Sequence, residues 1–321
     1  MLKKIHIFLP LLLSIPIFSY ANDQQENLML QQQVSDLFGT RQWDKLDNLL
    51  ETYRTDLPKT SSGKHKLILA YSVLSYNAGD TLIMMADDWI AHNPKSPPAY
   101  IVRAQGMNSK ATELRGEGDI STVDKSIFPK YNEILDEEKN FLIKHKSIGS
   151  QDPVWYEQME VIARLTGDSK LLDETLSEGS DKYPMYQNLY LDALESKMPK
   201  WGGSSEKIEK VARFAVEKTK HKSGLAIYSY LWHNAFFSQR ELTQLLFNHQ
   251  IISWEDMKQG WINTLKMTPS NSILNSYLSN ACLAQDKKTF EEVKPQLTEV
   301  EPNVWVPGTS LEKCVSFFST K

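Results

Sequence analysis

The sequence predicts an all-α protein: helical hairpins laid side by side in a curved solenoid, with a C-terminal tail as its cap. Three observations carry that expectation. Apolar residues recur at three- and four-residue spacing along most of the chain. Short turns rich in Gly, Pro, Asn and Asp interrupt them, and no stretch combines strand-like alternation with hairpin turns. The segment 183–237 reads as three helical patterns, joined by a Pro-Lys-Trp-Gly-Gly-Ser turn and a Lys-His-Lys-Ser-Gly turn. Its last part is apolar on nearly every side, through Leu225, Ile227, Tyr228, Tyr230, Leu231, Trp232, Phe236 and Phe237. A helix of that kind is a buried one, so this segment is expected at the centre.

The chain opens with Lys3 and Lys4, an apolar run over 5–18, and Ser19-Tyr20-Ala21. These are the marks of a secretory signal cleaved after Ala21. The run is interrupted by Pro10 and Pro16 and falls short of the roughly 20 residues of a membrane span. The expected mature protein, 22–321, is then periplasmic or secreted, without a membrane span, and forms one helical repeat-like domain with a sub-boundary near 118–126. The whole chain has 36 Lys and Arg against 40 Asp and Glu, and losing Lys3 and Lys4 leaves 34 against 40. An acidic surface argues against nucleic acid, whose phosphates need a basic one. It suits a basic protein partner.

Residues 22–33 are polar and their beginning is expected to be loose. Leu28, Leu30, Val34, Leu37 and Phe38 then give a helix that stops at Gly39. Trp43, Leu46, Leu50 and Tyr53 give a second, closed by Pro58 and Ser61-Ser62-Gly63. Helices over 66–76 and 81–92 follow, and Asn93-Pro94-Lys95-Ser96-Pro97-Pro98 leads into one over 99–115, with Pro98 in its first turn. In the helix expected over 131–145, Asp136-Glu137-Glu138-Lys139 reads as a solvated face. Asp152-Pro153 and Tyr183-Pro184 each open a helix; Gly167-Asp168 and Trp201-Gly202-Gly203-Ser204 turn them into partners over 171–176 and 208–216, with Ser204 as a cap. Ser253 caps 254–266, Pro269-Ser270 opens 273–284, and Asp286 leads into 290–297, ended early by Pro295. Pro153 and Pro184 are 31 residues apart, close to the 34-residue tetratricopeptide period. Pro269, Leu274, Tyr277, Leu278, Ala281 and Phe290 match that repeat best.

The only two cysteines, Cys282 and Cys314, are expected to pair in an oxidising compartment and fold the tail over the last helices. Buried free thiols are the alternative. Ser204 and Lys207 have the Ser-x-x-Lys spacing of penicillin-binding proteins, without the Ser-Asp-Asn and Lys-Thr-Gly partners of that chemistry. A helix start accounts for the same residues. No histidine stands at ligand spacing from another, so neither metal nor cofactor is expected. Histidines beside lysines or a loop asparagine belong in solvent; His233, in the apolar helix, reads as a hydrogen-bonded core residue. The aromatic set Tyr183, Tyr186, Tyr190, Trp201, Tyr228, Tyr230 and Trp232 either lines a groove for a partner or packs between helices. Trp201 stands out, because an indole in a turn must be covered by the next repeat or by a ligand.

The segments 37–53 and 89–115, with the Asn93-Pro94-x-Ser96-Pro97 turn and the Arg115-Gly116 end, together with Pro199-Lys200-Trp201-Gly202-Gly203-Ser204, resemble an uncharacterised bacterial family of secreted tetratricopeptide-like proteins. The resemblance spans most of the mature chain. It implies helical repeats and export, and brings no activity or catalytic residues. Stacked repeats leave a concave face for protein segments. The expected function is a non-catalytic periplasmic protein-binding module, in one version an immunity protein that neutralises a toxin delivered to the periplasm. An envelope assembly scaffold with several weak partners is the alternative, and a hydrolase using Ser204, Lys207 or His233 the third reading.

Overall fold

Side-chain caps set where many of the helices begin. Ser96, Asp152, Asp168, Ser204, Ser253, Ser270, Asp286 and Ser310 each accept a backbone N–H of the first turn that follows. Such a bond satisfies one of the N–H groups that have no partner inside the helix. The computed structural model describes residues 19–61, 63–116, 122–248 and 250–320. The predicted signal core over 5–18, His249 and residues 118–121 of the predicted sub-boundary lie outside them.

The chain is all-α. The helices are α1 (Ser19–Gly39), α2 (Trp43–Asp56), α3 (Lys66–Leu74), α4 (Gly79–His92), α5 (Pro97–Arg115), α6 (Phe128–Lys144), α7 (Lys146–Gly149), α8 (Pro153–Thr166) and α9 (Ser169–Lys182). Then come α10 (Gln187–Ser196), α11 (Ser205–Ser223), α12 (Ala226–Ser238), α13 (Thr243–Phe247), α14 (Trp254–Met267), α15 (Asn271–Leu283), α16 (Lys287–Val293) and α17 (Leu311–Ser319). No strand occurs among the described residues, only an isolated bridge between Lys59 and His65. Among them, too, no single helix is long and apolar enough to cross a membrane.

Packing alternates along much of the chain. Helices pair as α1/α2, α5/α6, α8/α9, α10/α11 and α15/α16, and as α12/α14 across the short α13, while α3 packs on α1 and α4 on α5. The second member of a pair also packs on the first of the next: α2 on α3, α6 on α8, α9 on α10, α11 on α12 and α14 on α15. First members touch one another along α5, α8, α10 and α12. One hydrophobic cluster extends from Leu30 to Phe318. Its central helix is α12, where Ile227, Tyr228, Leu231, Trp232 and Phe236 are buried and the exposed residues are Phe237 and Ser238 at its end. Helices α4 and α5 approach closely: a methyl group on Gly106 would sit 2.9 Å from Leu82 Cβ and 3.0 Å from the Gly79 carbonyl. Both positions need glycine.

Two turns share a lock. Tyr100 donates to the Pro94 carbonyl at 3.0 Å, and Tyr190 to the Pro184 carbonyl at 2.9 Å, each across six residues. Hence α10 starts at Gln187 rather than at Pro184, which belongs to the turn. At the N-terminus, the helix starts at Ser19, so the segment expected to be loose is helical, as its Gln, Glu and Leu content permits. Two expectations about solvation fail. Glu138, in the supposed solvated run, is fully buried because it turns inward between α5 and α8, onto Asn108 and Gln158. His65, between two lysines, is buried as well, and its Nδ1 lies 3.3 Å from the Leu57 carbonyl oxygen. Burial, with Lys59 nearby, lowers its pKa to about 4.

The tail lies on α15 and α16. Trp305 is buried and donates to Asn275 Oδ1 at 2.9 Å, and Phe318 packs on Phe290 with ring centroids 5.0 Å apart. Cys282 and Cys314 form a disulfide across 32 residues of sequence. Closing a loop of that length contributes roughly 3 to 4 kcal/mol through the unfolded chain. Reduction should therefore lower the melting temperature and raise hydrogen exchange in 302–319 before the rest. Calorimetry and exchange with and without reductant check this, and a melting curve indifferent to reductant contradicts it.

Candidate functional site

Helices α5, α8, α10 and α12 line a face of mixed polar and apolar side chains. On α8 these are Glu157, Gln158, Val161 and Arg164, spaced to share one side of the helix. On α10 they are Asn188, Leu191, Asp192 and Glu195, and on α12 Tyr230, Asn234, Phe237 and Ser238. Between α10 and α12 lies an open cavity of about 400 Å³, lined by Leu191, Asp192, Glu195, Met198, Asn234, Phe237 and Ser238.

Carboxylates dominate this face. Glu157 accepts from Tyr186 Oη at 2.5 Å and from Asn188 Nδ2 at 3.2 Å. Asp192 accepts from Arg164 at 3.4 Å. Glu195 is bound by Lys200 Nζ at 2.6 Å, Ser238 Oγ at 2.6 Å and Trp201 Nε1 at 3.2 Å. Glu160, beneath them, is fully buried, and neither of its carboxyl oxygens has a hydrogen-bond partner.

Removing a carboxylate from water disfavours its charged form. Burial, together with Asp192 and Glu157, pushes the Glu160 carboxyl well above the usual range. Burial also raises Glu157, against the bonds from Tyr186 and Asn188, and raises Asp192, where Glu157 adds to the effect and Arg164 opposes it. Glu195 differs. Burial acts on it too, but the bonds from Lys200, Ser238 and Trp201 outweigh it and hold the carboxyl below its ordinary value. The face therefore sets carboxyls whose charged form burial disfavours beside one whose charged form its donors favour.

The aromatic residues divide between interior and surface. Tyr186, Tyr190, Tyr228 and Trp232 are closed inside the fold. Tyr228 and Trp232 both donate to Glu209, at 2.9 Å each, which ties α12 to α11. Tyr183 is half-buried and donates to the Ser150 carbonyl at 3.2 Å. Half-buried Tyr230 stands near Glu157, and burial with that neighbour raises its phenol to about 12. Trp201 is 45% exposed, with the Arg164 guanidinium 5.6 Å from its ring centroid. Its turn depends on the glycines: Gly202 has φ 77°, and a methyl group on Gly203 would collide with the Lys197 carbonyl.

No family model, curated protein or solved structure matches the chain. The assignment of a site thus rests on chemistry. Ser204 Oγ accepts the Lys207 backbone N–H at 3.4 Å as the cap of α11. His233 is buried against Trp261, its Nδ1 2.7 Å from Asn280 Nδ2, and burial lowers its pKa to about 4. Ser204 thus caps a helix, and His233 is held between Trp261 and Asn280. Among the described residues no group of three His, Cys, Asp or Glu could hold a metal ion.

A second cavity, of about 660 Å³, continues the face over α5 and α8, with Gln105, Asn108, Thr112, Glu113 and Gln158 in its wall. Behind it, Glu138 Oε2 accepts from Asn108 Nδ2 at 3.1 Å and Glu138 Oε1 from Gln158 Nε2 at 2.7 Å. Burial, against these two bonds, raises the Glu138 carboxyl to about 8. None of these polar residues was singled out by the sequence. Their spacing on α8 and α10 is the signal that could have found them, since three-, four- and seven-residue steps put them on one side.

Two predictions follow from these environments. Trp232→Ala should destabilise the protein by roughly 3 to 5 kcal/mol, as a large buried ring does, whereas Trp201→Ala should cost about 1 kcal/mol or less. Denaturant titration of both variants decides it; equal losses contradict the division. The folded protein holds the Glu138 proton more tightly than the unfolded chain, whose carboxyl titrates near 4.5. Its contribution is complete below that pH and is lost as pH rises toward 8. Glu138→Gln should therefore lose less melting temperature between pH 5 and about 8.5 than the wild type.

Proposed function

We propose that this chain is a non-catalytic protein-binding module, exported from the cytoplasm, whose helical hairpins stack in the tetratricopeptide manner into a curved solenoid. The polar face of α5, α8, α10 and α12 takes a segment of a partner protein that carries Lys or Arg side chains. The observation that carries this reading is the half-buried carboxylate row Glu157, Asp192 and Glu195, flanked by exposed Trp201 and Phe237. An apolar anchor beside ionisable groups of one sign favours a partner with the opposite charge and a hydrophobic side chain. The alternating contacts of the pairs, and the Tyr100 and Tyr190 turn locks, support the stacked-hairpin reading.

The resemblance to secreted tetratricopeptide-like proteins fits the same proposal. One version of it is an immunity protein that covers a periplasmic toxin. A dedicated partner of this kind would form one stoichiometric complex. An envelope scaffold would instead gather several weak partners.

Affinity capture of residues 22–321 from periplasm and from products of neighbouring genes, followed by calorimetry on whatever binds, tests the proposal. Asp192→Asn with Glu195→Gln should weaken a genuine complex at least tenfold, with much less change in melting temperature. A partner that binds the double variant as tightly as the wild type, or no partner at all, overturns it. A spread of weak partners that all lose affinity in the variant keeps the binding face and favours the scaffold.

A further inference from the structure

The cavity over α5 and α8 differs in chemistry from the carboxylate row. Its wall is made of neutral amides and hydroxyls with Glu113 at the rim, and no Lys, Arg or His is among the described residues that line it. The hydroxyls are already committed. Ser75 Oγ donates to the Ser72 carbonyl, Thr112 Oγ1 to the Asn108 carbonyl, and Ser109 Oγ to Glu113. Acceptors are left over. Buried Gln105 Oε1 has no hydrogen-bond partner.

Glu138 fixes two more acceptors. It is fully buried and takes one N–H from each of Asn108 and Gln158, so both amides direct their nitrogens inward to the carboxyl and leave their carbonyl oxygens for the cavity. Gln158 is itself only 7% exposed, so its amide is held rather than free to reorient. A wall with surplus acceptors, backed by a carboxyl and lacking cationic groups, is complementary to a ligand that only donates. A sugar, which must also receive hydrogen bonds, would find the hydroxyls occupied. An anion would meet the Glu113 carboxyl, with no Lys, Arg or His in the lining to neutralise it.

We propose that this cavity is a subsite for a primary ammonium or guanidinium group, received by the carbonyl oxygens of Asn108 and Gln158 and backed by Glu138. It rests on the reading of this face as the binding face, and adds to it a fixed address for one cationic side chain. The same chemistry could come from a lysine or arginine of a partner or from a free polyamine.

The test needs no partner protein. The purified protein is titrated by calorimetry with n-butylammonium and n-butylguanidinium, with butanol and butyrate as uncharged and anionic controls. The cations should bind and the controls should not, and Gln158→Leu should weaken cation binding at least tenfold. Asn108→Leu, at a less buried position, gives a second variant should Gln158→Leu fold poorly by circular dichroism. Binding of butanol as strongly as butylammonium, or cation binding unchanged in a folded variant, overturns the subsite. An acetylated, amidated lysine peptide that outbinds 1,5-diaminopentane assigns the subsite to a partner side chain; the reverse order assigns it to a free polyamine. Loss of the amine signal alongside an intact protein complex removes the subsite alone, whereas amine binding without any protein partner removes the partner reading and leaves the subsite standing.

Discussion

Asp152 joins two distant parts of the chain, and the functional face depends on it. One of its oxygens accepts the Val154 N–H and opens α8, and the other accepts the Tyr71 hydroxyl of α3 at 2.9 Å. The residue is almost completely buried. Burial raises its pKa to about 6, against these two bonds and the nearby Arg54. A buried carboxyl is tolerated where its oxygens are satisfied, and is destabilising where one partner is taken away. This one sets both where α8 starts and where it stands relative to α3. Because α8 contributes Gln158 to one cavity and Glu157 and Arg164 to the carboxylate row, the register of the whole face follows from that start.

The same principle separates the carboxylates by role. Glu195 has three donors and stays ionised, so it serves structure and charge together. Glu160 has none, and a buried charge without a partner is among the costliest arrangements in a protein. Burial, with Asp192 and Glu157 nearby, raises that carboxyl well above the usual range, so its charged form is disfavoured where it stands.

Much of the fold was legible in the residues because caps and turns are local. Ser204, Ser253, Ser270 and Asp286 act within a few residues of themselves, and each marks a helix start in the sequence as in the structure. The cysteine pair was legible for a similar reason, since two cysteines allow one bridge. The carboxylate face was not. Glu138 lies in a run of charges, and only the approach of Asn108 and Gln158, from helices that precede and follow it, turns it inward. For the aromatic set the residues alone left groove and packing both open: Tyr186 and Trp232 are large enough to fill the space between helices and are buried there, whereas Trp201 stays exposed. Proline favours the first turn of a helix, yet the bond from Tyr190 holds Pro184 in the turn before α10.

Contacts far apart in the sequence also decide how rigid the face can be. The loop after α2 reaches the turn between α14 and α15: a methyl group on Gly63 would lie 3.4 Å from Thr268 Cγ2 and 4.0 Å from Ile273 Cδ1. Beside it, Arg54, Lys182, Tyr183 and Lys222 surround one cavity, so the ends of α2, α9 and α11 meet there. Stacked hairpins held only by nearest neighbours can flex along their length. Here the second loop of the chain braces helices that follow it by more than a hundred residues. A surface braced from so far along the sequence has less conformational freedom to lose in any contact it makes than one held by neighbouring hairpins alone.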